Sequence, residues 1–253
     1  MISIITVVNN NNIFEQWLGS SLKMQEGIEY ELITIDNTKN TYSSLEKAYM
    51  NGVMQAAGDW LMFVHPDVKF LKRRTLNEFL NKIEYYEKEN KSIHLWGVAG
   101  VEDGSFSVLK YISTITHGEP PERINNSIGN RKYVVVQTVD ACCFLIRKNV
   151  FKLYGFSKEY SGFHMLIEDL CLRINQNGNL CVVVPIELWH RSKGASLDYV
   201  YFKNAIRLLN NHPDIKFFNT TTMHGKVGFV YNTKLRIHLI KNLMVHYYKS
   251  IIK

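Results

Sequence analysis

Residues 56–68 read AAGDWLMFVHPDV, and the reading of that stretch decides the fold. Five apolar residues, Trp60 to Val64, stop abruptly at His65-Pro66-Asp67. A run of that length without polar alternation reads as a strand buried on both faces. Proline cannot donate to a sheet ladder, so Pro66 closes the strand and leaves an imidazole and a carboxylate two positions apart just beyond it. Taken alone, His-Pro-Asp is either a strand-ending turn in which Asp67 caps a helix, or a pair of ligands for a cation. Imidazole nitrogen with carboxylate oxygen suits Mn²⁺ well and Mg²⁺ acceptably.

Working outward, ISIITVV near the N-terminus is apolar and β-branched and reads as a first strand. A helical stretch is expected near Phe14–Met24, then a strand, YELITID, and a polar loop, NTKNTYSS. The segment LEKAYMNGVMQAA places Leu45, Ala48, Tyr49, Val53 and Ala56 on one helical face, with Gly58 expected as its stop. Apolar strands alternating with helices predict a mostly parallel α/β sheet with helices on both faces. Such sheets bind ligands beyond the carboxyl ends of their strands, where Asn9, Asp36 and the His65–Asp67 pair fall. Further on, Thr75–Asn90 reads as a charged surface helix, LWGVAGV as a strand, and 102–130 as a loop. One strand, YVVVQTVDACCFLIR, is expected next, then a helix, IEDLCLRINQNG, stopped by Gly178, and a short strand, LCVVVP.

The chain of 253 residues is 46% hydrophobic and 21% charged, the composition of an ordinary globular protein. No apolar run reaches the roughly 20 residues that span a bilayer, and the N-terminus lacks a basic signal-peptide region. Cys142, Cys143, Cys171 and Cys181 have no C-x-x-C spacing and lie in apolar surroundings, which reads as buried reduced thiols of a cytosolic protein. The first strand is followed by no G-x-G-x-x-G, and the chain has no P-loop and no G-x-S-x-G elbow. A phosphate-bearing ligand would therefore need a metal ion or side chains to neutralise it.

Glu168 and Asp169 stand at the start of the expected helix, where carboxylates favour the positive end of the dipole and could also serve as a general base. His190 follows a strand in ELWHRSKGAS. Taken in order, the pattern resembles the family 2 glycosyltransferases of GT-A fold, and within them the StrF-like subgroup. The residues that carry the resemblance are His65-Pro66-Asp67-Val68, Gly155-Phe156-Ser157, Gly162-Phe163-His164, Asp169-Leu170-Cys171-Leu172-Arg173 and His190-Arg191-Ser192-Lys193-Gly194. It spans about residues 1–197, and it departs from the common pattern in having His65 for a first Asp and Tyr49-Met50 for Arg-Asn before Gly52.

The resemblance implies an inverting, divalent-metal-dependent enzyme (Mn²⁺ or Mg²⁺) acting on a nucleotide-sugar donor of UDP, GDP or dTDP type. It implies that Val8, Asn9, Asp36 and Asn37 line the nucleotide pocket, and that Asp67, His65 and His190 meet the metal. Asp169 would be the base, with Glu168 beside it, and Asp140 and His164 would lie on the acceptor side. A saccharide or lipid-linked acceptor in bacterial surface-polysaccharide or glycoconjugate assembly fits this reading. The alternative is a catalytically silent sugar-nucleotide-binding or scaffold protein. A nucleotidyltransferase would want a Gly-rich, basic N-terminal loop, which VVNNNNIF does not provide.

The net charge of +7 lies entirely in the C-terminal extension 215–253, set apart from an expected domain 1–214. That extension carries Lys216, Lys226, Lys234, Arg236, Lys241, Lys249 and Lys253 and no acidic residue. No nucleic-acid motif accompanies the charge. Leu235, Leu239, Leu243, Tyr247 and Ile251 recur at four-residue intervals, predicting a helix over 233–253. Three uses remain open for it: packing on the domain, contact with a second copy, or lying peripherally on the inner face of a membrane.

Overall fold

A computed structural model describes residues 1–102, 111–122, 128–192, 197–226 and 229–251, without the side chains of 224–235. Its centre is a seven-stranded mixed sheet in the order β2 (Tyr30–Asp36), β1 (Ile2–Val8), β3 (Trp60–Val64), β11 (Cys143–Arg147), β5 (Ile93–Gly97), β12 (Leu180–Val183) and β9 (Val134–Val136). Strands β2, β1, β3, β5 and β12 run one way; β11 and β9 run against them. The expected mostly parallel α/β sheet is present.

The apolar strands alternate their side chains between two cores. Ile5, Leu61, Phe63, Phe144 and Ile146 enter one, while Ile4, Met62, Val64, Cys143 and Leu145 enter the other. Phe63 stacks on Phe144 across β3 and β11 at 4.9 Å. Burying one such aromatic side chain contributes about 2–3 kcal/mol, so the run WLMFV anchors both layers. Helix α3 (Leu45–Gln55) is capped by the Ser44 hydroxyl, which accepts from the Lys47 amide at 3.4 Å. It lies so close to β1 that a Cβ on Gly52 would meet Ile5 Cγ2 at 2.5 Å. Gly58 does not stop this helix, which ends at Gln55 with Ala56 extended. Gly58 is small for a different reason: its backbone crosses the start of β1, where the amide donates to Ser3 Oγ at 2.8 Å.

The first helical region is α1 (Asn11–Phe14), a π turn (Glu15–Gly19) and α2 (Ser20–Leu22). Helix α4 (Thr75–Glu89) covers the second core with Leu76, Phe79 and Ile83. The expected strands 95–101 and 133–147 are each broken. Val98 separates β5 from β6 (Ala99–Val101), and Gln137 separates β9 from β10 (Thr138–Val139). In both cases the chain leaves the central sheet for a small one, β10-β6-β7, where β7 is Tyr111–Ser113. The region expected as loop therefore holds β7 and β8 (Ile115–His117), apart from 103–110 and 123–127, which lie outside the described residues. A further small sheet joins β4 (Val68–Phe70), β13 (Leu188–His190) and β8.

After α5 (Lys148–Tyr154), helix α6 (Leu166–Gln176) is stopped at Gly178, whose φ of 75° suits a helix terminus. Beyond α7 (Tyr199–Asn211), the chain after Asp214 stays with the domain. Ile215 and Phe218 are core residues, and β14 (Phe217–Asn219) is tied to the β9–β10 corner by Thr138 Oγ1, which donates to the Asn219 carbonyl at 2.7 Å. Strand β15 (His224–Lys226) pairs with β14, and α8 (Phe229–Ile251) ends the described chain.

Candidate active site

Asn9, Asn37 and His65 follow β1, β2 and β3 directly, so three parallel strands deliver them to one edge of the sheet. They open into a cleft of about 950 Å³ whose other walls come from β8, the 163–168 segment, His190, α7 and the 221–222 turn.

Register assembles the histidine-carboxylate cluster. β13 runs beside β4 and β8, which pairs His190 with Val68 on one side and His117 on the other. His190 Nε2 thereby stands 3.2 Å from Asp67 Oδ1. One ligand atom each from His65, Asp67 and His190 falls within 4.8 Å of the others. The second Asp67 oxygen accepts the Ser192 amide at 3.2 Å, and the Arg191 amide donates to the Asp67 carbonyl at 3.0 Å, which pins the loop after β3 to β13.

His190 is 6% exposed, yet neither ring nitrogen has a hydrogen-bond partner. The 3.2 Å approach to Asp67 is thus an ion-pair distance without hydrogen-bond alignment. A buried imidazole with both nitrogens idle costs free energy unless they find partners, and a metal ion would occupy one of them. Two imidazoles and a carboxylate fit Mn²⁺ better than Mg²⁺. Burial, and then the neighbouring His190, hold His65 below its ordinary pKa, so it is neutral and able to ligate. Burial raises Asp67, but His190, His65 and the Ser192 amide outweigh it and bring its carboxyl down to about 2.

The Glu168–Asp169 pair divides. Asp169 is 2% exposed and does not line the cleft. Its oxygens accept from Arg173 Nε at 2.7 Å, from Tyr160 at 3.0 Å and from His212 Nε2 at 2.9 Å. Burial raises its pKa, but these three partners together hold it lowered. Asp169, expected as the base, is thus placed in a closed hydrogen-bonded network and not on the cleft lining. Glu168, one residue earlier and so about 100° around the helix, lines the cleft. Burial, with Asp140 and Asp169 nearby, pushes its carboxyl up to about 7. Met165, the residue before α6, has φ of 68°, a left-handed conformation that a side chain rarely adopts. Strain of this kind concentrates at functional sites.

Of the other expected residues, Asp140 and His164 both line the cleft. Asp140 accepts the Cys142 amide at 2.9 Å; burial raises its pKa, but His190 and His65 hold it lowered. Asp140 therefore interacts with the histidine cluster as well as with Glu168. His164 packs edge-on against Tyr201. Asn9 and Asn37 line the cleft, but both ends of the Asn37 amide hold the Tyr42 backbone. Val8 is not a cleft residue: strand alternation turns it into the second core and presents Val7 instead. Asp36 is exposed and not among the cleft residues, its Oδ1 taken by the amide and hydroxyl of Thr38. Lys193 and Gly194 lie outside the described residues.

His117, Asn40, Tyr201, Thr221 and Thr222 line the cleft and carried no sequence signal. His117 sits in a stretch that read as loop. The threonines lie past the end of the recognisable pattern, and only their packing brings them back.

The fold is that of solved glycosyltransferases. GalNAc-T7, solved with UDP, GalNAc and Mn²⁺, superposes with a TM-score of 0.59 at 14% identity over 83% of this chain. TarS 1–349 of S. aureus, in complex with UDP-GlcNAc, gives 0.59 at 13% over 85%. The mannosyltransferase PcManGT of Pyrobaculum calidifontis, with GDP-Man and Mn²⁺, gives 0.54 at 10% over 81%. The chain spans 47%, 67% and 64% of those three chains, about half of the first and two thirds of the others. No curated protein sequence matches it. The model of a family described as glycosyltransferase-like matches residues 3–212, most of the sheet and all of α6 and α7, and the chain belongs to that family.

Proposed function

We propose that the protein moves a sugar from a nucleoside-diphosphate donor of UDP, GDP or dTDP type to an acceptor hydroxyl, with inversion at the anomeric carbon. The observation that carries this reading is one cleft lined both by the cluster of His65, Asp67 and His190, with the His190 nitrogens unpartnered, and by the carboxyl of Glu168. Family membership and neighbours crystallised with UDP- and GDP-type ligands support it.

Asp67, His190 and His65 would hold a divalent cation, Mn²⁺ or Mg²⁺, which when bound neutralises charge on the departing diphosphate. Glu168 takes the proton from the acceptor hydroxyl as its oxygen bonds to the anomeric carbon. The bond from that carbon to the diphosphate oxygen breaks, and the nucleoside diphosphate leaves with the electron pair. A base near pKa 7 is half deprotonated at neutral pH and still a competent proton acceptor. Asn9 and the main chain around Asn37 form the nucleotide end; Asp140 and His164 border the sugar and acceptor. Asp169 acts one step back, as a positioning residue that fixes the start of α6.

The StrF-like resemblance supports a hexosyl-type transfer in bacterial surface-polysaccharide or glycoconjugate assembly, in the cytoplasm, with a saccharide or lipid-linked acceptor. The test is a melting-temperature screen with UDP, GDP, dTDP and CMP sugars, each with and without Mn²⁺, since a ligand that binds the native state raises its melting point. A shift with one nucleotide that needs Mn²⁺ and vanishes in Asp67→Ala supports the reading. No shift from any of them, in folded protein, overturns it in favour of a scaffold.

A further inference from the structure

Helix α8 packs on α7 in antiparallel sense. Arg236 donates to Asn210 near the end of α7, His246 lies 5.2 Å from Phe202, and Tyr247 lies 5.5 Å from Tyr199 at its start. Leu239 is fully buried and Leu243 partly so on that side. The opposite side is apolar and uncovered: Ile240, Met244, Tyr248 and Ile251 are 41%, 58%, 65% and 61% exposed. With Ile237 these residues are spaced three and four apart, one continuous stripe roughly 21 Å long at 1.5 Å per residue. Exposed Lys241 lies along one edge of it, and exposed Lys249 lies further round on that same side. No Asp or Glu occurs anywhere after Asp214.

From this surface we propose that α8 is a docking face for an anionic lipid bilayer. An apolar stripe with lysines on one side, in a segment free of acidic residues, matches the acyl-headgroup boundary of a membrane carrying negative lipid. No helix among the described residues is long and apolar enough to cross a membrane, so the contact is one of lying on the surface. Tyr247 sits against the start of α7, and Leu197 and Tyr201 of that same end line the cleft. The last turns of α8 thus lie against the end of α7 that helps to line the cleft.

The inference stands on the surface of α8 and not on the transferase reading, and its test reads the two separately. The full chain is sedimented with vesicles of phosphatidylcholine alone and of phosphatidylcholine with a third phosphatidylglycerol, at low and high salt. Binding to the anionic vesicles should be at least tenfold tighter, and it should weaken as salt rises. An Ile240→Glu, Met244→Glu double variant should lose at least tenfold in vesicle affinity while its melting temperature and any nucleotide-induced shift stay at parental values. Parent protein that ignores anionic vesicles, or a variant that binds them as the parent does, overturns the proposal. So does a dimer of the parent that the same variant dissolves without any vesicle binding, which would give the face to a second copy of the chain.

Discussion

Arg173 donates from Nε to Asp169 Oδ2 at 2.7 Å, one turn along α6 from the carboxylate it holds. That bond, with those from Tyr160 and His212, turns Asp169 away from the cleft and leaves Glu168 as the carboxyl that faces it. Two adjacent acids thus differ in setting: one is held in a buried network, the other faces the cleft.

Substitution should separate them. Asp169→Ala strands the partly buried Arg173 and the buried His212, and losing one partner of such a cluster costs about 3–5 kcal/mol. Urea unfolding should show that loss directly. Glu168→Gln should leave urea stability at or above the parent value and lower turnover about 10²–10⁴-fold, with nucleotide affinity unchanged. Full turnover in Glu168→Gln would remove Glu168 from the chemistry.

The idle nitrogens of His190 predict a metal preference. With two imidazoles beside Asp67, Mn²⁺ should bind at least tenfold more tightly than Mg²⁺, since nitrogen donors favour the transition ion. Depletion of the free Mn²⁺ electron-paramagnetic signal measures this in the presence of the nucleotide that the melting screen selects. His190→Ala and Asp67→Ala should each weaken Mn²⁺ binding at least tenfold. Unchanged binding in both would place the ion elsewhere.

Much of this was legible in the chain. Runs such as ISIITVV and WLMFV are mostly apolar because the sheet they enter is covered on both faces, and their ends announced the cleft edge at Asn9 and His65. What could not be read depends on rotation and register. Val7 or Val8, and Glu168 or Asp169, differ by one residue, and only packing decides which of each pair turns to the cleft. The breaks at Val98 and Gln137 were hidden because the apolar run continues while the strand changes sheets. His117 and Thr222 come from segments with no periodicity of their own, brought in by pairing with β13 and by the hydrogen bond between the Tyr201 and Thr222 hydroxyls at 2.7 Å.

Close packing at α3 makes a stability prediction. A methyl at Gly52 would meet Ile5 Cγ2 at 2.5 Å, and Ile5 is fully buried in the middle of β1 and has nowhere to retreat. Gly52→Ala should therefore destabilise by about 1–3 kcal/mol despite the better helix propensity of alanine. For a chain of this size that corresponds to a melting point lower by roughly 2–10 °C. Combined with Ile5→Ala, which removes the Cγ2 methyl at the point of contact, the loss should fall short of the sum of the two single losses. A melting point raised by Gly52→Ala would contradict the packing.

The titration of Glu168 gives the sharpest test. As a base it must be deprotonated, and burial with Asp140 and Asp169 nearby sets its carboxyl at about 7. Turnover per bound donor should therefore rise about tenfold per pH unit below that value and level off above it. Asp140→Asn removes one of the charges that raise it, so the midpoint should move to lower pH. Stability follows the opposite course. Between the ordinary glutamate value of 4.5 and about 7, the native state keeps a proton that the unfolded chain has released, so the parent loses stability as pH rises through that window. Glu168→Gln has no such proton to keep. Its melting point relative to the parent should therefore be higher at pH 8 than at pH 4.5, and the rate limb below pH 7 should disappear with it. A difference in melting point that does not change across the window would mean that Glu168 is ionised throughout, and the base would have to be sought elsewhere in the cleft.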